Sequence, residues 1–165
     1  MAEQCGRCST EMNVIRGDYR LTESCLANVV LQNIEIAVCP QCGNREPIIP
    51  YLDEVMRSLV QTVLLQSSRL TGQQVRFLRT YLGHSAEDFA RYLHVDKSTI
   101  SRWENGSQAI GEQSDLLIRM VVMAQGEDLR FIQTALEHFK DTVPFEEARD
   151  IQIQIAPETM KGQSA

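Results

Sequence analysis

The sequence predicts an α+β chain in three parts: a small N-terminal four-cysteine module with a β-hairpin or sheet, a connecting helix, and an all-α C-terminal domain of five helices. Three observations predict it. Four of the five cysteines lie before residue 43 as two matched pairs, with Cys25 alone between them. Residues 28–38, NVVLQNIEIAV, are rich in β-formers and alternate Ile34 and Ile36 against polar neighbours, the period of a half-buried strand. From residue 50 the apolar spacing becomes that of helices.

The cysteines come first. CGRC at 5–8 and CPQC at 39–42 read C-x2-C, thirty intervening residues, then C-x2-C. Two residues between cysteines let both sulfurs turn onto one metal, and two such turns complete a closed tetrahedral site. Cys5, Cys8, Cys39 and Cys42 are therefore expected to hold one structural Zn²⁺ per chain, with Gly6 and Gly43 easing the tight turns. So small a segment buries little core, and metal binding would supply the missing stability. C-x-x-C pairs also carry out thiol exchange, but such motifs usually stand singly at a helix start. Cys25 is expected to be a small buried hydrophobe.

PYLDEVMRSLVQTVLLQSS (50–68) places Pro at a helix start. Leu52, Val55, Met56, Leu59, Val60, Val63 and Leu64 follow at helical spacing, and a linker is expected near Ser67–Ser68. Three short helices follow in TGQQVRFLRTYLG, SAEDFARYLH and DKSTISRWENG. Each opens on a capping residue: Thr71 with Gln74, Ser85 with Asp88, Asp96 with Thr99. Gly83 and Gly106 supply stops. Further helices are expected over 112–125 and 127–142, the latter ended by Pro144, with Leu129, Ile132, Leu136 and Phe139 along one stripe. IQIQI (151–155) alternates as a short strand, and APETMKGQSA has the composition of a disordered end.

No apolar run approaches the ~20 residues that span a bilayer. MAEQCGRCST lacks a basic and an apolar signal region, so the expected location is cytoplasmic, where thiols stay reduced. The chain carries 22 acidic and 16 basic residues, a net charge of −6. Residues 71–125 hold six of each, so the acidic excess lies outside them. His84, His94 and His138 are isolated, with no nucleophile or carboxylate pair at a telling spacing, so nothing favours an enzyme.

SAEDFARYL followed by KSTISRWE has the layout of a positioning helix and a reading helix, with His94-Val95 as the turn. Ile100 and Trp103 would face inward with Phe89, Ala90 and Leu93, and Val95 would point into the core. Lys97, Ser98, Ser101 and Arg102 would face outward, Ser98 and Arg102 stacked at i and i+4. Arg there can contact guanine bidentately in the major groove, while Lys97, Thr99 and Asn105-Gly106-Ser107 suit phosphates.

In LTGQQVRFLR, LGHSAEDFARYLHV and STISRWENG, residues 70–125 resemble the helix-turn-helix of the Xre/Cro-repressor family. That resemblance implies a partly buried ion pair between Arg79 and Glu104. It also marks a departure: the family often has a phosphate-binding Gln where this chain has Ala86.

The whole layout over residues 5–125 resembles the MqsA (YgiT-type) antitoxin family, in which a zinc domain blocks an mRNA-cleaving ribonuclease toxin and the C-terminal domain dimerises and represses. The family's two base-reading positions fall on Ser98 and Arg102; Arg is kept and Asn is not. The resemblance implies a homodimer on a palindromic double-stranded operator, Zn²⁺ as cofactor, a basic ribonuclease partner, and no membrane association. Stand-alone zinc-finger/helix-turn-helix regulators share this layout, and an adaptor that does not read DNA is the remaining alternative. The expected boundaries are residues 1–48 for the zinc module, 49–69 for the connecting helix and linker, 70–125 for the helix-turn-helix domain, and 126–165 for an acidic tail.

Overall fold

The structure, a computed structural model, describes residues 4–126, residue 131 and residues 151–154. The helix expected over 127–142, its stripe and the end of the chain lie outside them. The chain divides into two compact units, one of residues 1–22, 27–55 and 150–165, the other of 23–26 and 56–149.

The first unit is a four-stranded sheet. Strands β1 (Asn13–Arg20), β2 (Val29–Val38) and β3 (Arg45–Ile48) run antiparallel in that order, and β4 (Ile151–Gln154) pairs parallel with β2. β2 buries Val29 and Leu31, then Ile34 and Ile36, a change of parity within one strand. A bulge makes this change. Opposite it, the β1 register jumps between Gly17, paired with Ile34, and Tyr19, paired with Leu31. Asn33 takes a left-handed φ of 55° there, and its N–H donates to Asp18 Oδ1 at 3.1 Å. The bulge turns both halves of β2 toward one core.

Among the described residues the second unit holds five helices: α1 (Leu52–Leu65, whose first turn belongs to the other unit), α2 (Gly72–Tyr81), α3 (Ala86–Tyr92), α4 (Lys97–Glu104) and α5 (Glu112–Gly126). α1 buries Leu59, Val60, Val63 and Leu64 from this apolar stripe, whereas Leu52 is exposed, contrary to the periodic reading. Thr71 caps α2 through a full capping box with Gln74; Ser85 and Asp96 cap α3 and α4 through the N–H groups of Asp88 and Ser98. Gly83 and Gly106 take positive φ of 72° and 76°, as helix-ending glycines do.

The chain between α1 and α2 is tied down. Arg119 of α5, only 2% exposed, pairs with Asp115 at 2.8 Å and donates to the carbonyls of Val63, Leu64, Gln66 and Ser68. Asp115 Oδ1 in turn accepts the Leu70 N–H at 2.6 Å. A buried guanidinium is tolerated because its donors meet a carboxylate and the carbonyls at and just beyond a helix end.

Candidate metal centre and nucleic-acid interface

In the first unit the two cysteine pairs fold as near copies of one turn. The Cys5 carbonyl accepts the Ser9 N–H, and the Cys5 N–H donates to the Thr10 carbonyl; Cys39, Gly43 and Asn44 repeat the pattern. The fifth residue of each turn is left-handed, Ser9 at φ 58° and Gly43 at φ 70°. The reading of Gly6 as a turn glycine is thus corrected: its equivalent position needs no positive φ, and Ser9 carries the strain instead. Gly43 was foreseen, but no residue type marked Ser9.

All four sulfurs lie within 4.8 Å of one another. Cys5–Cys42 and Cys8–Cys42 are 3.6 Å apart and Cys8–Cys39 is 3.4 Å. A tetrahedral zinc with bonds near 2.3 Å sets its sulfurs about 3.8 Å apart, so the donor set fits one such ion. The electrostatics agree. The Thr10 hydroxyl and backbone N–H, with Cys39, draw the Cys8 thiol down to about 6. Cys42 is pushed up to about 12: the Asn44 N–H lowers it, but the Cys39, Cys5 and Cys8 sulfurs and burial prevail. Sulfurs this close cannot all ionise without a cation among them. Cys25 stands apart and exposed rather than buried, in a left-handed turn at φ 63°.

In the second unit Phe89, Ala90, Leu93, Ile100 and Trp103 are all buried as expected, while Val95 is only half-buried. The Trp103 indole N–H, buried, has no hydrogen-bond partner among the described residues. α2 begins directly against the end of α4: a Cβ on Gly72 would meet the Trp103 carbonyl oxygen at 2.0 Å. Only glycine admits that approach. Arg79 joins the same two helices, its guanidinium holding both oxygens of Glu104 while Nη1 donates to the His84 carbonyl at 2.8 Å. Glu104 in turn raises the Arg79 pKa above its ordinary value.

The outer face of α4 carries Lys97, Ser98, Ser101 and Arg102, all exposed, with Thr99 half-buried. Arg102 folds back along its own helix. Nη2 lies 3.2 Å from Ser98 Oγ and 3.1 Å from Thr99 Oγ1, and Nε donates to the Ser98 carbonyl. This sets the guanidinium at the N-terminal half of α4. Asn105 Oδ1 accepts the Ser107 N–H and shapes the turn after α4. Two acids missed in the sequence reading adjoin this face. Glu87 of α3 lies 3.7 Å from Lys97 Nζ, and both Glu87 and Asp88 pair with Arg91. His84 is engaged by Gln125 Oε1 at 2.7 Å and packs on the Tyr92 ring.

Residues 75–113 match the model of a helix-turn-helix family. The matched segment contains α3, the turn and α4, and is an Xre-type DNA-binding domain of the kind found in regulators. No curated protein and no solved structure matches the chain. No helix among the described residues is long and apolar enough to cross a membrane.

Proposed function

We propose that this protein is a sequence-specific transcription regulator that binds a palindromic operator as a homodimer, represses from it, and carries one structural Zn²⁺ on Cys5, Cys8, Cys39 and Cys42. The placement of Arg102 supports this reading most. On an exposed face of a helix whose other side is core, its charge sits where a reading helix meets base edges. Ser98 and Ser101 share that role; Lys97, Thr99 and Asn105 hold phosphates. The zinc ion supplies a cross-link between two turns 30 residues apart and no chemistry. Residues 71–125 have no net charge, so one copy has little nonspecific attraction for DNA. Two copies on half-sites about 34 Å apart supply the affinity.

The likeness to MqsA-type antitoxins adds a finer role: the N-terminal module holds a basic mRNA-cleaving ribonuclease, to which a chain of net charge −6 is complementary. A stand-alone regulator is the second reading. What favours it is β4, which lies beyond the region of that likeness and yet pairs with the N-terminal sheet.

The test is a titration of fluorescent DNA from the gene's own upstream region with zinc-loaded protein, wild type beside Arg102→Ala. Saturable binding weakened by about 5- to 150-fold in the variant, the equivalent of about 1–3 kcal/mol, supports reading through Arg102. Absence of binding by the wild type rejects the regulator. A pull-down with the adjacent gene's product decides between the two finer roles: no complex at micromolar concentration rejects the antitoxin.

A further inference from the structure

β2 has two neighbours on one edge. β3 covers Glu35–Val38, and β4 covers Val29–Gln32, with the Asn33 bulge between them. The second half of that edge has no cover from nearby sequence; its partner arrives from residues 151–154. Without it, the backbone groups of Val29–Gln32 that face away from β1 would stand unpaired beside two wholly buried apolar side chains, Val29 and Leu31. β4 fits this place by chemistry. Its register sets Ile153 beside Leu31, while the Gln152 side chain meets Gln32 at 3.3 Å on the exposed face.

We infer that the Val29–Gln32 edge of β2 is a strand-binding slot for an extended, parallel segment with aliphatic side chains at alternate positions, occupied reversibly by the chain's own residues 151–154. The pairing has the marks of an exchangeable strand. It is four residues long and parallel, the weaker pairing per residue. It closes a loop of more than 100 residues between Gln32 and Gln152, so loop entropy opposes it. An incoming segment of aliphatic–polar–aliphatic–polar pattern makes the same backbone bonds and fills the same position beside Leu31, which is how added strands are recognised on sheet edges. The slot belongs to the sheet of the metal module and is independent of DNA reading through Arg102.

The test uses the full zinc-loaded chain and a fluorescein-labelled peptide of residues 148–157, ARDIQIQIAP. In wild type the tethered strand competes intramolecularly, so the peptide binds weakly. The Ile151→Asn/Ile153→Asn variant, with its own strand disabled, binds the peptide at least tenfold more tightly, and a scrambled peptide does not bind. Equal binding to wild type and variant, or equal binding of the scrambled peptide, overturns the proposal. A second measurement needs no variant. In wild type, the β2 amides facing β4 exchange with solvent at least tenfold faster than those facing β3, and excess peptide slows them. Exchange of both sets only on global unfolding overturns the slot as an opening site.

Discussion

Arg79 grips Glu104 with two nitrogens: Nε lies 2.6 Å from Oε1 and Nη2 3.1 Å from Oε2, with both side chains 15% exposed. The pair joins the last turn of α2 to the last turn of α4, so it sets the angle at which the outer face of α4 is presented. Arg79→Ala leaves a partly buried carboxylate without its partner and is expected to cost about 2 kcal/mol. Glu104→Gln keeps one bond and costs less. Denaturant titrations of both singles and of the Arg79→Ala/Glu104→Gln double variant check this; strictly additive losses would refute coupling.

Metal removal acts on one unit. A chelator, or Cys39→Ser, is expected to abolish tertiary structure around β1–β3 while the helical signal of α2–α5 persists, because all four proposed ligands belong to the first unit. Elemental analysis is expected to give about one zinc per chain in wild type. A far-UV spectrum and amide exchange of residues 4–48 that do not change in chelator would sink the structural role of the ion.

Glu87 lies 3.7 Å from Lys97, the lysine proposed to hold a phosphate. Both are more than half exposed, so the pair itself contributes little to stability. Glu87→Gln is expected to tighten operator binding by about 2- to 5-fold, the equivalent of about 0.4–1 kcal/mol, and to steepen the salt dependence by about one released counterion. Binding that weakens, or a slope that is unchanged, would place Lys97 off the phosphate path.

Asp96 caps α4. The Ser98 N–H and hydroxyl hold its carboxyl below the ordinary value of 3.8. A folded-state pKa that is depressed contributes stability that is present above the unfolded value and is lost as pH falls through the folded one. Asp88, lowered chiefly by the Ser85 hydroxyl, acts in the same direction at the start of α3. Asn caps equally well without titrating. Asp96→Asn should therefore lose less thermal stability than wild type between about pH 6 and about pH 3; equal losses would remove the cap from the acid response.

Much of this was legible in sequence because local rules act at short range. Thr71–Gln74, Ser85 and Asp96 announce helix starts, and the spacing of Cys5, Cys8, Cys39 and Cys42 announces a cluster. What was hidden depends on distant partners. β1 shows no buried–exposed alternation, since all its side chains are exposed or half-exposed. Ser9 takes its left-handed turn only because Cys5 and Thr10 close a loop around it. Arg119 reads as a surface charge four residues from Asp115 until the end of α1 supplies its acceptors. Leu52 and Cys25, expected inside, lie at positions where periodicity and residue type carried no information about neighbours.

The clamp of Arg119 on the carbonyls of residues 63–68 decides what can be cut and transplanted. A fragment starting at Thr71 would keep every residue of the helix-turn-helix. It would also strand a buried guanidinium and strip α5 of the helix end it holds. The separable helical piece therefore begins within α1, and a gene fusion that keeps it intact has to splice upstream of Val63.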